Sequence, residues 1–95
     1  MARRKKNRTK KRARTFLQWL SGQTERDDPV GDFARDAQAD PDKPTGSSVT
    51  EEEFSQYLVD EGAGVRVLRA FWRAWDEWQA AEAAAEAAGD AAPGA

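Results

Sequence analysis

The chain is 95 residues long, with 39% hydrophobic and 34% charged side chains, and its formal net charge is −2. That length allows one small domain. The chain contains no cysteine and no histidine, which excludes disulfides, thiolate zinc sites and the usual general base near neutral pH.

The small net charge conceals a strong division. Residues 1–14 hold nine of the 15 basic side chains and no acid: Arg3, Arg4, Lys5, Lys6, Arg8, Lys10, Lys11, Arg12 and Arg14. The remaining 81 residues hold six basic and all seventeen acidic side chains, a net of −11. Such an asymmetry points to a polyanion-binding tail or a charge-regulated one. A segment this charged does not collapse by itself, so residues 1–14 are expected to form a disordered basic arm.

The first predicted element is TFLQWL. Thr15 is positioned as its N-cap, and Phe16, Trp19 and Leu20 make one apolar face, with Leu17 alongside. Ser21-Gly22 is expected to end it by C-cap chemistry. A helix reaching back through Ala13 would carry the last arm cations on its first turns, against the macrodipole. Residues 23–28, QTERDD, read as a polar loop. Asp28 followed by Pro29 is a helix start, an N-cap acid with proline at the first helical position. Val30, Phe33, Ala34 and Ala37 then recur at i, i+3, i+4 and i+7, while Asp32, Arg35, Asp36 and Asp40 face away. Pro41 should stop this helix near Asp40.

The stretch DPDKPTGSSV is a loop with two prolines and a glycine. Thr50-Glu51-Glu52-Glu53 is a capping box. It opens a third helix whose buried stripe is Phe54, Tyr57 and Leu58. Gly62 and Gly64 close it and set the turn into the last helix. That helix, VRVLRAFWRAWDEW, holds three of the four tryptophans. At about 100° per residue, Val65, Val67, Leu68, Phe71, Trp72, Trp75 and Trp78 fall in one arc roughly 160° wide. Arg66, Arg69, Arg73, Asp76 and Glu77 lie opposite. Alanine and glutamate favour continuing the helix to about Ala88, with Gly89–Ala95 expected to be disordered. Three parts follow: a disordered arm (1–14), a helical domain (15–79) and an Ala/Glu-rich extension (80–95).

No window approaches the roughly 20 apolar residues of a membrane span. The apolar run after the arm is too short for a signal peptide and leads into RDD, so the chain is expected to be unprocessed and cytoplasmic.

In their order, FLQWL, RDDPVGDFARDAQADPDKP, FSQYL and AFWRAWDEW resemble the small bacterial YozE-type SAM-like proteins. Three features carry the resemblance. These are the acidic-Pro-hydrophobic-Gly-Asp helix start at Asp27–Asp32, the Asp40-Pro41…Pro44 loop, and the terminal Phe71…Ala74-Trp75…Trp78 helix. It covers roughly residues 15–79. It implies an all-α, compact four- or five-helix SAM-like domain, and it brings no established activity with it. Related helical folds serve protein–protein or nucleic-acid contacts, and fold does not fix function. The basic arm and the Ala/Glu extension are not part of the usual family pattern.

Five groups of residues are weighed for function. The arm suits DNA or RNA phosphates; no aromatic is interleaved before Phe16, so no base code is expected. Its alternative partner is an acidic surface, either on another protein or on the chain's own body. Arg66, Arg69 and Arg73 lie at i, i+3 and i+7, where they extend a phosphate-binding surface or make surface ion pairs such as Arg73 with Glu77 or Asp76. Trp19, Trp75 and Trp78 read as core, and Trp72, nearest the polar edge, as the tryptophan to be partly exposed. Asp27, Asp28 and Asp32 suit helix-capping and dipole roles better than a magnesium site. Asp40, Asp42 and Glu51 stand at positions 1, 3 and 12 of an EF-hand register, but Pro44 and Thr45 at positions 5 and 6 break that loop.

No catalytic constellation emerges, because no serine has a histidine partner and no glycine-rich loop follows a strand. The expected function is therefore a non-enzymatic binding module without cofactor or metal. Its arm contacts nucleic-acid phosphates, alternatively with the acidic domain acting as a protein–protein adaptor that binds a basic partner or its own arm.

Overall fold

The computed structural model describes residues 14–94, with side chains through Ala87. Arm residues 1–13 lie outside the described residues. Four helices are present among those described: α1 (Phe16–Ser21), α2 (Pro29–Ala39), α3 (Glu51–Asp60) and α4 (Val65–Gly94). The described domain is all-α, with α1, α2 and α3 packed on α4.

Local chemistry sets each boundary. Thr15 caps α1 with a full capping box: the Gln18 N–H donates to Thr15 Oγ1 at 3.1 Å, and the Thr15 N–H donates to Gln18 Oε1 at 2.9 Å. Gly22 is the C-cap of α1, as expected, at φ −85° and with its N–H donating back to the last turn. Asp28 caps α2 by accepting from the Gly31 N–H at 2.9 Å, with Pro29 at the first helical position. Asp40 ends α2 where Pro41 requires it. Thr50 and Glu53 form the expected capping box of α3. The α3 exit is a Schellman turn: Gly62, at φ +86°, donates to Val59 O, and Ala63 donates to Leu58 O, both at 2.9 Å.

An aromatic cluster forms the centre. Phe54 and Phe71 stack at 5.2 Å, and Phe16 stands edge-on to both at 5.7 Å. Phe33 closes one side on Phe71, and Trp75 packs on Phe16 at 4.8 Å. A core this rich in rings gives a short chain a large buried area per side chain.

The buried face of α4 is rotated from the expected arc. Ala70, Phe71, Ala74 and Trp75 are buried, whereas Val65, Val67 and Trp72 are 63%, 36% and 44% exposed. Alanine sets the rotation. Ala34 and Ala37 on α2 and Ala70 and Ala74 on α4 are all buried, and small side chains at a contact let two helix axes approach. A reading weighted by side-chain bulk passes over them. The helix also continues to Gly94, past the Ala88 end and into the stretch expected to be disordered; alanine-rich sequence has the propensity to hold the backbone helical.

Candidate functional site

Of the nine arm cations, Arg14 alone falls within the described residues, and it is seated on α4. Its backbone N–H donates to Glu82 Oε1 at 2.9 Å, its Nε donates to Glu82 Oε2 at 2.9 Å, and its carbonyl accepts from Trp78 Nε1 at 3.0 Å. Both main-chain polar groups of the arm's root are therefore held by side chains one helical turn apart. The Arg14 N–H and guanidinium hold the Glu82 carboxyl below its ordinary range, with the backbone contact the larger cause. Glu82 lies in the Ala/Glu extension, and nothing in the sequence pointed from it to Arg14. Trp78 and Glu82 stand at i, i+4 on one face of α4, which was the only trace available. Arg3, Arg4, Lys5, Lys6, Arg8, Lys10, Lys11 and Arg12 lie outside the described residues.

Arg66, Arg69 and Arg73 come together along one side of a groove of about 450 Å³ between α2 and α4. Phe33, Val67 and Ala70 supply its apolar lining, and Pro29, Asp32 and Asp36 form the other side. Arg73 Nε reaches Glu77 at 3.2 Å, the i, i+4 pair expected from the spacing. Among the described residues no ion pair involves Arg66 or Arg69. Asp32 is engaged by Arg35. The groove thus carries both signs of charge, with its most available cations at Arg66 and Arg69.

The QTERDD loop is not merely polar. Arg26 pairs with Asp28 and with Glu77, each at 2.7 Å, and also donates to Gln23 Oε1 at 3.2 Å. Arg35 donates from Nη1 to the carbonyls of Thr24 at 2.7 Å and Arg26 at 3.1 Å. The two arginines clasp the loop against α2 and α4. The Arg26 guanidinium is the leading cause that lowers both the Glu77 and Asp28 carboxyls below their ordinary values. Gly31 makes room for this clasp. A Cβ there would stand 2.0 Å from the Arg26 carbonyl oxygen.

Asp40 is occupied as well. Its carboxylate accepts from the Tyr57 hydroxyl and, at 2.9 Å, from the Asp42 N–H, while Lys43 Nζ donates to its carbonyl at 2.9 Å. The Tyr57 hydroxyl holds the Asp40 carboxyl below its ordinary pKa range, and Asp40 pushes the Tyr57 phenol above its own. Those bonds tie the α2 exit to α3 and leave the carboxylate at EF-hand position 1 in structural use. Among the described residues no group of three or more His, Cys, Asp or Glu side chains is arranged to hold a metal ion.

The family profile described as YozE SAM-like fold matches residues 15–80, and the chain belongs to that family. No curated protein and no solved structure matches the chain. The matched span runs from the α1 cap to the end of the aromatic part of α4. Arg14 and Glu82, the two ends of the clamp on the arm, fall just outside it on either side. Among the described residues no helix is long and apolar enough to cross a membrane.

Proposed function

We propose that the protein is a non-enzymatic nucleic-acid-binding module acting in the cytoplasm, with the arm Arg3–Arg14 contacting phosphates without reading base sequence. The observation that carries this reading is the concentration of nine cations in fourteen residues on a body of net −11. Cationic segments bind polyanions by counterion release, which requires charge density rather than a shaped site. The seat of Arg14 on Glu82 and Trp78 supports the reading by giving the arm a fixed point of departure. Arg66, Arg69 and Arg73 are less suited to continue a phosphate track, because Asp32 and Asp36 share their groove.

One observation favours an adaptor reading in which the arm rests on the acidic body. Arg14 already spends its charge on Glu82. Fluorescence anisotropy with a labelled duplex and a labelled single strand at low salt separates the two. The nucleic-acid reading expects binding by the full chain and its loss on deletion of residues 1–14. Undetectable binding by the full chain, or binding that survives the deletion, defeats it.

A further inference from the structure

The direction in which the arm leaves the body is fixed at its root. The Arg14 N–H is held by Glu82, and its carbonyl by Trp78, four residues earlier in α4. Phe16, two residues further on, packs on Trp75 at 4.8 Å and on Trp78 at 5.7 Å. The chain therefore runs antiparallel to α4 here, and on the N-terminal side of Arg14 it heads toward the Ala/Glu extension. Thr15 is extended, with φ −71° and ψ 163°. In such a backbone alternate side chains share a face, and two residues span about 6.6 Å, close to the roughly 6 Å covered by four residues of an α-helix. Both segments have the matching period. Arg4, Lys6, Arg8, Lys10, Arg12 and Arg14 occupy every even position of the arm from 4 onward, and acids follow in α4 at 82, 86 and 90. Glu86 is exposed and has no ion partner among the described residues.

We propose that the α4 extension is the arm's own docking track. The arm continues antiparallel along it, with Arg14 on Glu82 as the first rung, Arg12 level with Glu86 and Lys10 level with residue 90. This gives the adaptor reading's contact between arm and body a definite place, and it makes no use of the α2 and α3 carboxylates. Exposed ion pairs are individually weak, and salt screens them. Tethering makes them count, because the seated Arg14 holds the next cation at high effective concentration beside its partner. Duplex DNA offers a charge about every 1.7 Å along its axis, against one carboxylate about every 6 Å on the track, so phosphates displace the arm from it. The extension is thus a reversible competitor of nucleic acid for the arm. That competition rests on the phosphate-binding reading, whereas the docking does not.

A paramagnetic label tests the docking. The chain has no cysteine, so a nitroxide on Thr9→Cys, an odd position, leaves every even-position cation in place. In the full chain at low salt, amide NMR signals of residues 84–92 should broaden and should recover at high salt, while those of α3 stay sharp. Extension signals that stay sharp at low salt overturn the proposal. So does equal broadening of α3, which would mean attraction to the acidic body at large. Glu86→Gln/Asp90→Asn tests the competition and leaves the Arg14 seat intact. Anisotropy with a labelled duplex at low salt should show it binding about threefold more tightly than Glu51→Gln/Glu52→Gln, which removes the same charge at exposed positions of α3. Equal affinity of the two variants overturns the competition. Broadening of the extension with no duplex binding by any of these proteins keeps the docking and defeats the phosphate-binding reading. A sharp extension with tight duplex binding does the reverse.

Discussion

Arginine is used in two ways around α2 and α4. Arg26 and Arg35 are turned inward to a loop, where their donors reach two carbonyls and the carboxylates of Asp28, Asp32 and Glu77. Arg66 and Arg69 lie along an open groove with no ion partner among the described residues. Formal charge does not distinguish the pairs. Geometry does: a guanidinium whose fork is filled by carbonyls and carboxylates holds structure together, and one facing solvent beside apolar surface is available to something else.

The largest effect in the clasp should come from Gly31. Gly31→Ala drives a Cβ into the Arg26 backbone, which has no flexible end to yield. It is expected to cost about 3 kcal/mol in urea unfolding, outweighing alanine's better helix propensity of about 1 kcal/mol. A loss under about 0.5 kcal/mol would mean that the loop lifts away freely and the clasp holds little.

Arg26→Ala should cost less, about 1–2 kcal/mol, because the loop keeps its bonds to Arg35 while Glu77 and Asp28 lose their main partner. Its signature is in pH. The Asp28 and Glu77 carboxyls are held below their unfolded values in the folded state. Their contribution is therefore complete above the ordinary carboxylate range near pH 4, and it is lost as pH falls through the lower folded values. Urea midpoints measured from pH 7 down to pH 2 should fall less steeply for Arg26→Ala than for the unaltered chain. Parallel curves would remove Arg26 as the cause of the acid sensitivity.

Much of the fold was legible because local rules and packing agree. The Thr15, Asp28 and Thr50 caps, the stop at Asp40 and the glycine exit at Gly62 all follow from nearest-neighbour chemistry. The family resemblance, resting on ordered motifs over 15–79, agrees with the match over 15–80. The rotation of α4 was not legible, because it depends on how closely Ala70 and Ala74 let α2 approach, although Trp72 was rightly expected to be the partly exposed tryptophan. The candidate surfaces divide in the same way. The i, i+4 pair Arg73–Glu77 could be read from spacing. Arg14–Glu82 and Arg26–Glu77 span 68 and 51 residues, and only the folded chain brings them together.

The central claim is that phosphate binding resides in the arm and not in the outer α4 arginines. It is tested most directly by the salt dependence of duplex binding, measured for the full chain and for Arg66→Ala/Arg69→Ala. With about six arm contacts, the slope of log K against log salt should be roughly −5 for both proteins. A slope shallower by about two in the double variant would place Arg66 and Arg69 among the phosphate contacts and contradict the division of arginines drawn from the structure.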